Sequence, residues 1–363
     1  MKVTNTNNQQ MTFKHFLKGF GILAILITIA PIFAVDYWWI RIFDFPHIQL
    51  TFLTALALLI YFIKFDFKSL GDYAFITVLI ACFIFQFVKF FPYTTFAPDE
   101  MLKATDNANN NLSILTANVY QDNEDTQVII DALNSSNADI MVLTEANNRW
   151  RDEIVSAISD AYSYKVEYPL DNTYGILLYS KLKLIDPQLK FLVEDDIPSI
   201  HTKAITRLGD TIKIHAIHPT PPMPQHNPRS TDRDAEMMIV AKEVMDTQHP
   251  TIVVGDFNDV PWSSTNQLFK KVSKTLDPRI GRGIFSTYNA KKFLLRWPLD
   301  HIYCTKEFRY KSYKVYNETS SDHFPVYAEF SLEPNNAKEQ EPEEVRKEDL
   351  KRAEEQIKMY KNK

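Results

Sequence analysis

Residues 251–259 have the sequence TIVVGDFND, in which a β-branched apolar run ends at Gly255 and polar side chains follow at once. The run predicts a buried β-strand, and the glycine predicts a break in it. If the backbone stays extended past Gly255, Asp256 and Asn258 lie on one face and Phe257 on the other. A carboxylate and an amide would then lie together at the carboxyl end of a strand, where α/β sheets usually hold ligands. Asp and Asn also form ordinary turns, so the stretch alone is equally consistent with a polar loop.

The surrounding region, residues 112–333, alternates short apolar strands with helical or loop segments. Strands are predicted over Ser113–Val119, Ile140–Leu143, Gly175–Tyr179, Ile212–Ile217, Thr251–Val254, His301–Cys304 and Val326–Phe330. Helices are predicted over Thr126–Ser135, Trp150–Asp160 and Ser230–Thr247. Because strands and helices mix without a strict βαβ rhythm, the pattern favours two sheets covered by helices over one parallel sheet.

Polar side chains occur at the ends of most of these predicted strands. They are Asn118, Glu145, His218, Asp256, Asn258, Asp300, Asp322 and His323. Each alone could be an ordinary loop residue, but their common position indicates one site. A carboxylate at a strand end suits Mg²⁺, which takes oxygen ligands and keeps several waters. A histidine held by a buried carboxylate can serve as a base or as a stabilising acid.

The strand that ends at His218 contains a second histidine, His215. The two are an odd number of residues apart, so on a strand they face opposite ways and are not expected to share a metal ion. His215 is therefore predicted to be a surface or packing residue.

The amino-terminal region contains three apolar segments, approximately 19–35, 48–63 and 73–88. Each is about long enough to span a bilayer core of ~30 Å. A cleaved signal peptide could explain only the first segment, and buried core helices are the other alternative. Basic residues precede the first segment and occupy the second loop, namely Lys2, Lys14, Lys18, Lys64 and Lys68. This bias predicts a cytoplasmic amino terminus and, after three crossings, a carboxyl-terminal region outside.

The sequence thus predicts four parts. Residues 1–95 form a membrane anchor of three transmembrane helices, 96–111 a polar linker, 112–333 the globular domain, and 334–363 a charged tail, helical or disordered. The formal net charge of −5 does not suggest a general polyanion-binding protein. Two cysteines form no disulfide framework, and the absence of CxxC and HExxH spacings argues against the common kinds of zinc site.

The order of these motifs resembles the endonuclease/exonuclease/phosphatase (DNase I-like) superfamily over residues 112 to about 332. The resemblance rests on Asn118, Glu145, the strand ending in His218, Gly255-Asp256-Phe257-Asn258, Leu299-Asp300-His301 and Ser321-Asp322-His323. The segments His218-Pro219-Thr220-Pro221-Pro222 and Val260-Pro261-Trp262-Ser263, together with the three preceding apolar segments, most resemble its membrane-anchored bacterial branch. The resemblance implies an α/β (α+β) fold, a four-layer α/β/β/α sandwich of two mixed sheets, and hydrolysis of a phosphate ester with Mg²⁺ or Mn²⁺.

The resemblance also implies roles for the polar residues. Glu145 would hold the metal, with Asn118 as ligand or support and Asp322 supporting the metal side. Asp256 would align or deprotonate the attacking water, and Asn258 would donate to the transition-state oxygens. His218 would bind the phosphate, and His323, oriented by Asp300, would contact the phosphoryl group or act as acid/base. Tyr120 replaces an acid found in several nuclease members, which leaves the number of metal ligands open.

Four functions follow as hypotheses. The first is a phosphodiesterase, nuclease-like, outside the cytoplasm, and the second is a phosphatase or phospholipase-like hydrolase of lipid head groups, which a membrane anchor would suit. Residues 112–333 contain 24 Lys and Arg against 30 Asp and Glu, which disfavours tight duplex DNA binding. The third is a catalytically inactive binding module, and the fourth a transporter, which three spans without charges inside them disfavour.

The predicted partners are a phosphate-ester substrate, either nucleic acid or a lipid head group, and the lipid bilayer, with no protein partner predicted. The predicted location is the bacterial cytoplasmic membrane, with the catalytic domain on its periplasmic or extracellular face.

Overall fold

The computed structural model describes residues 3–33, 36–106, 108–224 and 227–361. Contacts divide the chain into two compact units, Met1–Pro92 and Tyr93–Lys363. Lys2 and the last two residues of the predicted tail lie outside the described residues.

The first unit is helical. Its α-helices are α1 Val3–Ile29, α2 Trp38–Arg41, α3 His47–Tyr61 and α4 Leu70–Phe90. Among the residues that the structure describes, three helical stretches are long and apolar enough to cross a membrane, namely Phe13–Ile32, His47–Lys64 and Leu70–Tyr93. Inside this unit, Gln86 donates one hydrogen bond to Thr28 and accepts one from Thr54 over 3.2 Å. Such polar contacts hold helices together in an apolar surrounding.

The second unit contains twelve strands and five further α-helices within the described residues. The strands are β1 Asn111–Asn118, β2 Ile140–Thr144, β3 Tyr164–Tyr168, β4 Ile176–Ser180, β5 Leu184–Lys190, β6 Ser199–Ile205, β7 Thr211–Ile217, β8 Thr251–Asp256, β9 Thr275–Leu276, β10 Asp300–Thr305, β11 Phe308–Val315 and β12 Val326–Leu332. The helices are α5 Gln127–Ser136, α6 Asn148–Ala157, α7 Thr231–Met245, α8 Ser264–Ser273 and α9 Lys347–Lys361.

The strands form two six-stranded sheets, with the orders β11-β12-β1-β2-β4-β3 and β5-β6-β7-β8-β10-β9. The pairs β1–β2 and β7–β8 are parallel, and the other pairs are antiparallel. Apolar side chains of both sheets, such as Ile114, Val142, Ile214 and Val254, form a common core. The predicted fold of two mixed sheets flanked by helices is confirmed.

Helices cover the outer face of each sheet. Trp150 and Ile154 of α6 pack with Leu143 of the first sheet. Met237 of α7 and Phe269 of α8 pack against the second sheet. The result is a four-layer arrangement in which the two sheets lie inside.

Five strands were not predicted from the sequence, namely β3, β5, β6, β9 and β11. Four of these are the outermost strands of their sheets. Edge strands have one unpaired side and tolerate polar residues, so they lack the continuous apolar pattern of central strands. The helix α8 was also not predicted.

The segment 96–111, predicted to be a linker, is bound to the second unit. Arg282 contacts Asp99 over 2.7 Å, and Lys270 contacts Glu100 over 2.6 Å. The amide of Leu102 donates to the side chain of Gln340 over 2.7 Å. Charged and polar side chains of this segment therefore find partners on the folded domain instead of remaining in solvent.

The predicted charged tail contains a helix, α9, that packs against α7. Ala353 is buried in the apolar cluster beneath α7, and Leu350 and Ile357 pack against it. A spacing of three and four residues puts these three side chains on one face of the helix, which explains how a charged segment can be bound.

Gly255 is the penultimate residue of β8 and has a backbone conformation that favours glycine. Its φ is +140°, and a Cβ atom at this position would lie 2.0 Å from the carbonyl oxygen of Ile217. Only glycine allows this backbone conformation and this close approach of β7 and β8. The approach brings His218, which follows β7, next to Asp256.

Candidate active site

The predicted polar residues meet where the strands of the two sheets end. Asn118 ends β1 and lies in register with Thr144, the residue before Glu145, on the parallel strand β2. The side-chain amide of Asn118 donates to Glu145 Oε1 over 2.7 Å and to Asp256 Oδ2 over 3.0 Å. Because Asp256 ends β8 of the second sheet, this amide joins polar groups of both sheets.

A histidine and two aspartates form the centre of the group. Asp300 lies opposite Asp256 in the antiparallel pair of β8 and β10. His323 Nδ1 lies 2.8 Å from Asp300 Oδ2, and His323 Nε2 lies 3.7 Å from Asp256 Oδ2. One atom from each of these three residues lies within 4.8 Å of the others. The imidazole is therefore held between two carboxylates.

His218 and Asn258 complete the group around Asp256. His218 Nε2 lies 3.8 Å from Asp256 Oδ2. The backbone amide of Asn258 donates to Asp256 Oδ1 over 2.9 Å, and its side-chain amide donates to the carbonyl of Pro219 over 3.1 Å. One hydrogen of the Asn258 amide is thus used within the protein.

Asp322 joins the group through its neighbour, Ser321. The hydroxyl of Ser321 donates to the carbonyl of Asn118 over 2.8 Å and accepts from the amide of His323 over 3.1 Å. Asp322 itself is partly exposed. The structure therefore brings all eight predicted residues to one edge of the sandwich, seven of them through direct side-chain or backbone contacts.

Three of these strand ends carry strained backbone. Tyr120, Glu145 and Asn258 have φ values of +55°, +59° and +50°. Non-glycine residues rarely adopt this left-handed region, and such residues cluster at sites where geometry matters more than stability. This geometry turns each chain sharply out of its strand.

The environment gives the two histidines opposite charge states. Burial lowers the pKa of His218 to about 4, despite the nearby Asp256. Burial also acts to lower the pKa of His323, but the carboxylates of Asp300 and Asp256 outweigh it and raise the value to about 10. At neutral pH the site contains one neutral and one positively charged imidazole.

Two carboxyl groups of the site, those of Glu145 and Asp256, are destabilised in their charged form. Burial raises the pKa of Glu145 to about 7, although the hydrogen bond from Asn118 opposes the rise. Burial likewise raises the pKa of Asp256. A divalent cation would relieve this cost, because it favours the ionised carboxylates.

The donor set fits a hard divalent cation. Glu145 is partly exposed and Asn118 is buried beside it, so a carboxylate and an amide are available together. Oxygen ligands and retained waters are what Mg²⁺ requires. Tyr120 offers no carboxylate, and its backbone amide donates to Asn118 Oδ1 over 3.0 Å.

Two aromatic residues of the site were missed by sequence reasoning. The ring of Tyr174 lies 5.4 Å from the ring of His218, and that of Tyr288 lies 4.9 Å from that of His323. Each ring therefore lies beside an imidazole of the site. No spacing in the sequence distinguishes them from core aromatic residues.

Comparison with known proteins gives a family match over the same region. The model of the "Endonuclease/Exonuclease/phosphatase family" matches residues 115–323, which include all eight site residues. No curated protein matches the chain.

Three solved structures share the fold. An endonuclease/exonuclease/phosphatase from Beutenbergia cavernae is 16% identical, with 62% of this chain and 72% of that chain covered and a TM-score of 0.50. An endonuclease/exonuclease/phosphatase family protein from Bacteroides thetaiotaomicron is 16% identical, with 62% and 96% covered and a TM-score of 0.50. Humanized TDP2 of D. rerio is 13% identical, with 61% and 100% covered and a TM-score of 0.50.

Proposed function

Because this chain belongs to the endonuclease/exonuclease/phosphatase family, whose members hydrolyse phosphate esters, we propose that it is a divalent-metal-dependent phosphodiesterase anchored in a membrane. The observation that carries the proposal is the convergence of Asn118, Glu145, Asp256, Asp300 and His323 at one sheet edge. Phosphoryl transfer needs positioning and groups aimed at developing charge, and this arrangement supplies both.

Each side chain has a role that its environment supports. Glu145 and Asn118, with support from Asp322, would hold Mg²⁺ or Mn²⁺, and the bound ion would supply charge stabilisation to the phosphoryl oxygens. Asp256 has a raised pKa and would accept a proton from the attacking water. His323 carries a positive charge and would stabilise the phosphoryl oxygens.

His218 and Asn258 would contribute hydrogen bonds. Burial keeps His218 neutral, so one of its ring nitrogens can donate to the phosphate. The other hydrogen of the Asn258 amide would donate to an oxygen in the transition state.

The test uses the full-length protein in detergent with bis-p-nitrophenyl phosphate as substrate. Hydrolysis is expected with Mg²⁺ or Mn²⁺ and not with a chelator. Asp256→Asn should lower the rate by about 10²-fold or more, because it removes the proton acceptor. The control Asp186→Asn changes an exposed aspartate and should leave the rate unchanged. Equal rates with and without chelator, or equal rates for Asp256→Asn and the unmodified protein, would refute the proposal.

The orientation in the membrane rests on charges at one end of the helical unit. Lys14 and Lys18 both contact Asp72, and Asp72 also accepts a hydrogen bond from the amide of Asp66 over 3.0 Å. The loop between α3 and α4, which carries Lys64 and Lys68, therefore lies at the same end as these lysines. Basic residues favour the cytoplasmic side, so the catalytic unit is proposed to lie outside.

Two reporters test this orientation. An alkaline phosphatase fused after the last residue is expected to be active, because it folds only outside the cytoplasm. An inactive phosphatase fusion together with a fluorescent cytoplasmic reporter at the same position would reverse the assignment.

A second candidate function is the hydrolysis of phospholipid head groups, and the loop 289–296 favours it. Phe293 is 78% exposed and Leu294 is 75% exposed. Lys291 and Lys292 precede these apolar side chains. Apolar side chains next to basic ones bind the interface of an anionic bilayer. The loop follows Tyr288, whose ring contacts His323, so this surface lies beside the site.

A substrate panel distinguishes the two functions. Single-stranded DNA, duplex DNA, RNA, phospholipid vesicles and phosphomonoesters are compared with Mg²⁺ and with chelator. Phospholipid hydrolysis that is lost in a Phe293→Ser/Leu294→Ser variant, with bis-p-nitrophenyl phosphate hydrolysis retained, would support the lipid substrate. Hydrolysis of nucleic acid alone would support the nuclease-like function. No hydrolysis of any substrate would support an inactive binding module.

A further inference from the structure

A second group of possible metal ligands lies outside the candidate active site, beneath helix α7. His201 of β6 and His215 of β7 are direct cross-strand partners, and they are 3% and 0% exposed. His201 Nδ1 lies 2.6 Å from His215 Nδ1. Glu243 of α7 places its Oε2 atom 3.5 Å from the first nitrogen and 3.9 Å from the second. Three ligand atoms from three elements thus converge on one point.

This group is separate from the active site. His215 and His218 face opposite sides of the same strand, as their odd spacing predicts. His218 contacts Asp256, whereas His215 contacts His201 and faces α7. The proposed roles in phosphate ester hydrolysis use none of His201, His215 and Glu243.

The protonation states suit a metal ion. Burial lowers the pKa of His201 and lowers that of His215 well below its usual range. The hydrogen bond with His201 lowers the pKa of Glu243. The group therefore offers two neutral imidazoles and one carboxylate at neutral pH, which are the forms that bind metals.

The neighbouring groups hold the ligands in position. The hydroxyl of Ser199 lies 2.8 Å from His201 Nε2, so a ring bound through Nδ1 can donate its remaining proton to this oxygen. Lys190 donates to both carboxylate oxygens of Glu243, over 2.8 Å to Oε1 and over 3.0 Å to Oε2, and Oε2 also lies 3.5 Å from His201 Nδ1. Partners of this kind orient metal ligands in known sites. Lys190 and Lys213 are the positive charges that oppose a cation here.

We propose that His201, His215 and Glu243 bind a Zn²⁺ ion that links helix α7 to the second sheet. Two imidazole nitrogens and one carboxylate oxygen are a common ligand set for Zn²⁺, and water would complete the tetrahedron. Zinc–nitrogen distances of about 2.0–2.1 Å separate two ligand nitrogens by about 3.3 Å. The imidazoles would therefore move apart by less than about 1 Å, which side-chain rotation allows.

No motif in the sequence predicts this site, because its ligands come from two strands and a helix. HExxH and CxxC spacings reveal sites whose ligands lie on one element. Here the ligands are far apart in sequence and meet only through the pairing of β6 with β7 and the packing of α7.

The test measures zinc retained by the full-length protein in detergent. Protein stripped with a chelator is incubated with Zn²⁺ in the presence of excess Mg²⁺, which occupies the oxygen-rich active site, and metal content is measured after gel filtration. The unmodified protein should retain about one Zn²⁺ per chain and should unfold at a higher temperature with zinc than without. The controls His249→Gln and Asp256→Asn should retain the same amount.

Two variants are expected to lose the ion, His215→Gln and Glu243→Gln. Glu243 is 26% exposed, so its replacement leaves the fold intact even if the buried histidine variant does not fold. Zinc retained by Glu243→Gln as by the unmodified protein, or no zinc retained by the unmodified protein, would overturn the proposal. Loss of zinc from Asp256→Asn would also overturn it, because the ion would then belong to the active site.

Discussion

Replacing Asp300 by asparagine tests the charge state of His323. The two side chains are buried, and His323 Nδ1 lies 2.8 Å from Asp300 Oδ2. Burial acts against a charged imidazole, but the carboxylates of Asp300 and Asp256 raise the pKa of His323 from 6.5 to about 10. Asparagine keeps the shape of the side chain and a hydrogen bond, so the substitution removes mainly the negative charge.

The size of the effect follows from this pKa. A rise of about 3.5 pH units corresponds to roughly 5 kcal/mol in favour of the charged imidazole. Because the folded pKa is raised, this stability is fully present below the unfolded value near 6.5 and is lost as the pH rises through about 10. In the unmodified protein His323 therefore stays charged through the neutral range. In Asp300→Asn, burial is opposed chiefly by Asp256 and to a smaller extent by Asp322, and the pKa of His323 falls toward its ordinary value.

The assay compares the initial rates of bis-p-nitrophenyl phosphate hydrolysis of the variant and the unmodified protein between about pH 5 and pH 9. At pH values above neutrality, the rate of Asp300→Asn is expected to fall by about 10²-fold or more, because His323 has lost its charge. The ratio of the two rates should recover as the pH is lowered, because the imidazole regains its proton. Taking the ratio removes the contribution of groups that titrate alike in both proteins.

Two results would refute this reasoning. The first is a rate for Asp300→Asn close to that of the unmodified protein throughout the range. The second is a lowered ratio that does not change with pH, which would indicate a loss of positioning and not of charge. The exposed control Asp186→Asn should show neither change, and circular dichroism checks that each variant is folded.

Three further predictions concern the metal, the sheet edge and the tail. Glu145→Gln should raise the Mg²⁺ concentration needed for half-maximal hydrolysis by about tenfold or more, since a neutral amide binds the cation more weakly. If the Mg²⁺ concentration for half-maximal hydrolysis does not change, the ion is bound by other ligands. Gly255→Ala should destabilise the protein by about 2–4 kcal/mol and lower its unfolding temperature, because the new Cβ would lie 2.0 Å from the carbonyl oxygen of Ile217. An unchanged melting curve would contradict this close approach of the two strands. Ala353→Asp should release α9 from α7 and expose the tail to protease, because it buries a charge, whereas Arg352→Asp on the exposed face should not; equal protease sensitivity of the two variants would contradict the packing of Ala353 against α7.

The predictability of the sheets varied with the position of each strand. Thr251–Val254 and Ile140–Leu143 were predicted because both faces of these central strands are buried and their residues are apolar throughout. The outermost strand Leu184–Lys190 contains Asp186 and Pro187, and its middle is exposed, so it resembles a loop in sequence. A central strand that is buried on both faces shows a continuous apolar run in the sequence, whereas an outermost strand with exposed residues shows no such run.

The candidate site, like the sheets, was predicted from the sequence only in part. Its polar residues were predicted because each follows an apolar strand, and their order resembles that of a known family. The approach of His218 to Asp256 was not predicted, because it depends on the contact of Gly255 with Ile217 between neighbouring strands. The walls formed by Tyr174 and Tyr288 come from distant loops and leave no pattern in the sequence.

The sequence alone was sufficient for the properties that depend on near neighbours. Apolar length indicated three membrane-spanning helices, continuous apolar runs indicated the central strands, and the GDFN stretch at residues 255–258 indicated a polar strand end. Charge states and ligand sets depend on atoms that are distant in sequence, because electrostatic energies vary with separation in space and with burial. Only the folded chain therefore places His323 between Asp300 and Asp256 and brings His201 to His215. The odd spacing of His215 and His218 already placed them on opposite faces of one strand. Only the register of β6 with β7 and the packing of α7 gave His215 its partners, His201 and Glu243.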